Sequence, residues 1–244
     1  MSKLVWDQTN ERLYETGVRQ GVVYPYSAEA LAVTPSATTH GIDSTKSHYG
    51  PGVAWNGLTG VTESPGGAEA TDLYADDIKY LSLRSAETFG GTIEAYTYPD
   101  EFAVLDGSME LMKGVVVGQQ ARASFGFCYR TVVGNDTQLD NYGYKLHLVY
   151  GCTVSPSEKA YSTINDSPEA ITFSWEFETT PVDVNVSGKD AKPTANITID
   201  TTKLDPSNKE NLDKLLACLY GTEDQDAFLP MPDEVVAILS GSMG

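Results

Sequence analysis

Positive charge is scarce in this chain. Its 244 residues carry 16 Lys and Arg against 34 Asp and Glu, a formal net charge of −18. A surface this acidic repels a phosphate backbone and argues against tight nucleic-acid binding. It also resists non-specific adhesion, as the wall of a passage for DNA would require, although plain solubility accounts for the same charge. Cysteine is scarce too. Cys128, Cys152 and Cys218 stand far apart and form no CxxC, so neither a disulfide framework nor a paired zinc site is expected. Cys128 and Cys152 sit in alternating apolar runs and read as small buried side chains. Long apolar runs are missing: no stretch approaches the ~20 residues of a membrane span, so no membrane insertion is expected. "MSKLVWDQTNERLYETG" has no apolar core of a secretory signal, which leads to the expectation of a soluble chain made in a cytoplasm.

The usual signatures of catalysis are also missing. There is no Gly-x-Ser-x-Gly elbow, no GxGxxG after a strand, and "SPGGAE" at 64–69 lacks the lysine of a phosphate loop. His40, His48 and His147 are scattered. Acids do cluster: Asp72, Asp76 and Asp77 fall within six positions, followed by Glu94, Asp100 and Glu101. No glycine sits where a calcium loop needs its sharp turn, and adjacent Asp76 and Asp77 on a strand would face opposite ways. They read as the charged start of a strand. In "SWEFET", Glu176 and Glu178 share one strand face about 7 Å apart. Carboxylates at such spacing serve glycoside hydrolases, but any solvent face looks the same. The expectation is a protein that is not an enzyme and holds no cofactor or metal. A carbohydrate-binding or glycan-degrading β-sandwich, which the 14 tyrosines would suit, is the alternative.

What is present is a foldable, strand-rich pattern. Hydrophobic residues make up 41%, enough for a core and against wholesale disorder. "YETGVRQGVVYPY" (14–26) reads as a strand with a bulge or turn at its glycines. A polar excursion over 27–70 follows, too long for an ordinary loop and punctuated by Tyr49, Val53, Trp55, Leu58 and Val61. "IKYLSLRS" and "GGTIEAYTY" alternate and, with "SAETFGG" between them, predict a hairpin or meander. "PDEFAVLDGSMELMKG" predicts a short amphipathic helix from Pro99 to a stop at Gly114. "ARASFGFCYRTVV", "YKLHLVYGCTV" and "AITFSWEFETTPV" alternate as strands, and "TANITID" is a weaker one. "DPSNKENLDKLLACLYG" predicts an amphipathic helix ending at Gly221, with a last short helical turn beyond it. Strands do not alternate with helices, so the fold class is mainly β (α+β): an antiparallel β-sandwich or partial barrel with a flanking helix and a C-terminal helical segment over 205–244.

Several segments together resemble one family. They are "YETGVRQGVVYPY", "PGVAWNGLTGVTESPGGAEATDLYADDIKYLSLRSAETFGGTIEAYTYPDEF", "FGFCYRTVVGNDTQLDNYGYKLHLVYGCTVSPSEKAYSTINDSPEAITFSWEFETTPV" and "LYGTEDQDAFLPMPDEVVAIL". In this order they are similar to the major tail proteins, or tail tube proteins, of long non-contractile-tailed bacteriophages of Gram-positive hosts. The resemblance implies a tail-tube β-sandwich over 1–244 without an immunoglobulin-like appendix. It implies six-fold rings that stack around a lumen, assembly in the host cytoplasm, and a place in the virion tail. Implied partners are further copies of the chain, a tape-measure protein, tail-terminator and distal-tail or baseplate proteins, and viral DNA in transit. It also implies that the long excursion reaches an adjacent ring, with Tyr49, Val53, Trp55, Leu58 and Val61 as candidate contacts. Glu94, Glu176 and Glu178 are candidate lumen-facing acids. On this basis a deletion of 45–67 is expected to leave a folded domain that cannot polymerise.

Overall fold

The computed structural model describes residues 4–27, 48–161, 163, 170–186 and 188–242. Strands take 45% of the chain and helices 13%, so the fold is mainly β with a minor helical layer. The elements run β1 (Leu13–Pro25), β2 (Val53–Trp55), β3 (Leu58–Glu63), β4 (Gly66–Gly67), β5 (Ala70–Ala75), β6 (Ile78–Arg84), β7 (Glu87–Thr88), β8 (Gly90–Ala95) and α1 (Phe102–Leu105). Then come β9 (Met109–Met112), β10 (Val115–Val117), β11 (Phe125–Asn135), β12 (Leu139–Val154), β13 (Phe173–Thr179), β14 (Asn196–Asp200), α2 (Pro206–Glu210), α3 (Leu212–Tyr220) and α4 (Pro232–Ser240).

One antiparallel sheet carries the fold, in the order β2-β1-β11-β12-β13-β8-β3, with β14 also paired to β12. Its two ends are neighbours in the chain. Only Asn56 and Gly57 separate β2, which pairs with β1, from β3, which pairs with β8. The wall therefore returns on itself through one bent segment, and the result is a small barrel. Gly57 makes the corner at φ +76, a left-handed conformation that costs a residue with Cβ about 1–2 kcal/mol. A second corner lies in β12. Residues 145–149 pair with β14, and residues 152–154 pair with β13. Between them Gly151 has φ +60, and a Cβ there would lie 2.2 Å from the Thr180 carbonyl oxygen.

This bulge has a consequence for packing. Before it, Leu146, Leu148 and Tyr150 face the helices and Val149 faces the barrel interior. After it, Cys152 and Val154 face the interior. One extra residue has reversed the parity of the strand. The chain thus builds two cores on opposite faces of one wall. Val23, Trp55, Ile93, Phe102, Phe125, Phe127, Trp175 and Phe177 fill the barrel. Tyr24, Cys128, Leu148, Leu215, Leu219 and Ile238 pack between the wall and the helical layer.

Four expectations are corrected. The helix predicted from Pro99 to Gly114 is one turn, α1, because Gly107 at φ +74 turns the chain out of helical conformation. Met109 and Met112 then lie in a hairpin, β9–β10, whose turn is at Gly114. The helix predicted over 206–220 is broken into α2 and α3 at Asn211. The excursion over 27–70 contains β2, β3 and β4, and part of it is barrel wall; its residues 28–47 lie outside the described residues. Lastly, β6 pairs with β5, not with β8. Asp76 and Asp77 form the tip of that hairpin at φ 50 and 63, the left-handed pair that a two-residue hairpin turn demands and that Asp tolerates.

Candidate functional site

Three surface features stand out, and each follows from strand alternation. The first is the outer face of β3, β8 and β13. Ile93, Ala95, Trp175 and Phe177 point into the barrel, so their neighbours Glu94, Glu176 and Glu178 must point out. Glu94 lies opposite Ser174 and Gly60, Glu176 opposite Thr92, and Glu178 opposite Gly90. The three candidate acids are thus gathered on one exposed sheet face. A shallow groove of about 360 Å³ beside them is lined by Glu176, Glu178, Ser64, Thr88 and Ser155. None of the three carboxylates takes part in an ion pair among the described residues.

The second feature is a protruding arm. Between the end of β3 and the start of β8 the chain leaves the barrel, pairs β4 with β7 and β5 with β6, and returns. Every residue from 64 to 88 is exposed. From Ser64 to the tip at Asp76 this arm extends up to about 40 Å, at ~3.3 Å per residue. It is far from polar: Leu73, Tyr74, Ile78, Tyr80, Leu81 and Leu83 are all exposed. A lone two-stranded hairpin is marginally stable in water, and these apolar side chains find no cover within the described residues of the chain. Hairpin β9–β10 repeats the pattern, with Met109, Leu111, Met112, Val115 and Val116 exposed.

The third feature is a polar clasp at the barrel mouth. Glu15 on β1 accepts hydrogen bonds from Lys145 and from Thr131 Oγ1. Glu63, the last residue of β3, accepts the Tyr129 hydroxyl at 2.6 Å. His147 lies between them, with Nε2 3.7 Å from Glu15 and Nδ1 3.5 Å from Glu63. Its ring stacks on Tyr129 with centroids 4.6 Å apart and planes 2° apart. Partial burial opposes the charge on Glu15, but the bonds from Lys145 and Thr131 overcome it and hold the carboxyl below its ordinary range. Glu63 is also held low, by its His147 contact first, against partial burial, and then by the Tyr129 hydroxyl. The clasp ties the root of the arm to β1, β11 and β12.

The expected contact residues divide. Trp55 is buried at 4% exposure, packs tilted against Phe102 with ring centroids 4.5 Å apart, and donates from Nε1 to the Thr97 carbonyl at 2.9 Å. Tyr49 is buried too, and its hydroxyl accepts the Gly151 amide. Val53, Leu58 and Val61 are half-buried against the barrel core. The expectation that Tyr49 and Trp55 reach an adjacent ring is therefore corrected: both side chains are engaged in the core of their own chain. The arm over 64–88 was the surface that sequence reasoning missed. Its signal was present, since "ATDLYADDIKYLSLR" places a two-aspartate turn between apolar alternations. Among the described residues no group of three or more His, Cys, Asp or Glu could hold a metal ion, and no helix is long and apolar enough to cross a membrane. No protein-family model matches the chain, and none of the curated proteins compared with it does.

Proposed function

We propose that this chain is a tail-tube subunit: a structural protein that polymerises as stacked six-fold rings around a lumen through which viral DNA passes. The arm over 64–88 carries this reading. A −18 chain that keeps so much apolar surface on an extended hairpin is arranged to have that surface covered. An arm up to about 40 Å long suits contact with a further copy in the next ring. The unpaired row Glu94, Glu176 and Glu178 suits a wall along which DNA moves without adhering. On this reading the chain assembles in the host cytoplasm and ends in the virion tail. Tape-measure, tail-terminator and distal-tail or baseplate proteins are its other partners, and no catalysis is assigned to it.

The test is negative-stain electron microscopy of the concentrated chain and of a variant in which residues 70–84 are replaced by a short Gly-Ser turn. The full chain is expected to form hollow tubes with a regular axial repeat. The variant is expected to keep the barrel's circular dichroism and thermal midpoint but form no tubes. Tubes of normal length without the arm would overturn its role in stacking. Residues 53–63 are barrel wall, so a deletion of 45–67 would unfold the barrel and cannot serve as this test.

A further inference from the structure

Leu4, Val5 and Trp6 are 72%, 59% and 75% exposed. Three consecutive large apolar side chains in solvent are unusual on a soluble fold. The residues that follow hold them there. Residues 7–12 form an elbow, with Asp7 at φ 55 and Asn10 at φ 73. Arg12 Nε donates to the Asp7 carbonyl at 3.1 Å and the Asn10 amide donates to Asp136 Oδ1 at 3.0 Å. The Thr137 hydroxyl donates to Asn10 Oδ1 at 2.5 Å. The elbow is thereby pinned to the turn between β11 and β12. The apolar triplet before it is presented outward rather than folded back.

A complementary surface exists on the same molecule. An open groove of about 610 Å³ lies where β1, the β2–β3 corner and the end of α3 meet, within the size range of small-ligand clefts. Val18, Ala54, Trp55, Leu58, Leu219 and Ala227 supply its apolar lining, and no Asp or Glu lines it. Residues 1–6 likewise contain no acid. On a chain of net charge −18, these are two places where copies can meet without carboxylate repulsion. The triplet does not occupy the groove of its own copy: none of Leu4, Val5 and Trp6 lines it. The elbow sits beside Leu13, eight positions before Gly21, which lies opposite Trp55. That is at most about 26 Å at ~3.3 Å per residue, along a strand with two bulges, and Trp6 stands next to Asp7, whose carbonyl Arg12 holds.

We infer that Leu4–Val5–Trp6 is a donor segment that docks in the Ala54–Leu58 groove of a second copy of this chain. Donor and acceptor are different patches, so the contact is head-to-tail and builds a closed ring or an open filament. The inference concerns the same self-association as the tube reading, but rests on residues outside the arm.

Trp6 supplies its own readout, because Trp55 and Trp175 are buried. Acrylamide quenching and emission wavelength are followed in a dilution series, with sedimentation velocity on the same samples. Trp6 is expected to lose its quenching and shift to the blue as the chain associates. Trp6→Ala, and separately Ala54→Glu at an exposed strand position, are expected to weaken association roughly thirtyfold, the loss of one strong contact residue. An equimolar mixture of the two variants should recover one intact contact and form dimers that neither forms alone. Trp6 that stays fully quenchable in associated protein overturns the inference, as does normal association of Trp6→Ala or a wild-type chain that stays monomeric at millimolar concentration. Tubes in which Trp6 stays open would reject the donor segment and keep the tube reading. Small closed oligomers with Trp6 buried would do the reverse.

Discussion

Trp55 shows how a single residue can be read in two ways. Its setting in a polar stretch made it a candidate for the surface, yet its ring lies 4.5 Å from Phe102, 5.4 Å from Trp175 and 5.8 Å from Phe127. Trp55→Ala should therefore cost about 3–5 kcal/mol of folding stability, measured as a lower urea midpoint; an unchanged midpoint would remove Trp55 from the core. The clasp gives a pH dependence with a definite sign. Glu15 and Glu63 are held below the ordinary carboxylate range in the folded chain, so the folded state binds their protons less readily than the unfolded state does. The stability they contribute is complete above the unfolded carboxylate range, near pH 4.3, and is lost as pH falls through their lower folded values. Urea midpoints should hold between pH 7 and about 5 and fall below that. Glu63→Gln should flatten the fall, and an identical acid profile in that variant would show the clasp to be inert. Other carboxylates, Asp200 among them, contribute to the same fall, so the difference between the two profiles is the informative quantity.

Secondary-structure elements were legible where residues of one kind repeat at one period. β11, with Phe125, Phe127 and Tyr129 facing the barrel and Cys128 facing the helices, could be read directly from alternation. So could α3, whose Leu212, Leu215 and Leu219 form one stripe. The segment after Pro99 was misread because Phe102, Leu105, Met109 and Met112 satisfy helical spacing by coincidence. Only the first two are buried, while the methionines belong to an exposed hairpin. Spacing states which residues could share a face, and burial decides whether that face exists. The two hairpins were hard to read as functional for a related reason. Apolar alternation predicts a strand with a buried side, and these strands have none within their own chain.

At the scale of the whole molecule, charge and apolar surface oppose each other. Copies carrying −18 repel at long range, while the exposed hairpins attract on contact. Salt shortens the repulsion, with a Debye length near 30 Å at 0.01 M and 10 Å at 0.1 M, and leaves apolar contacts intact. Self-association measured by sedimentation should therefore strengthen as sodium chloride rises from about 10 to 150 mM. Weakening over that range would mean that ion pairs, not apolar contacts, join the copies.

The sequence by itself determined the local features: a β-rich acidic chain, strands where apolar residues alternate, and helices at its end. These follow from side-chain period and backbone preference, which act over a few residues. Tertiary structure alone decided three further things. It put Glu94, Glu176 and Glu178 on one outward face, because β8 pairs with β13 across about eighty residues of sequence, roughly the separation their register sets. It closed the barrel through the bend at Gly57, and reversed the faces of β12 at Gly151. It also buried Tyr49 and Trp55 while leaving the 64–88 arm bare. The physical reason is the same in each case. Alternation gives every strand two faces, and only long-range pairing assigns one of them to the core.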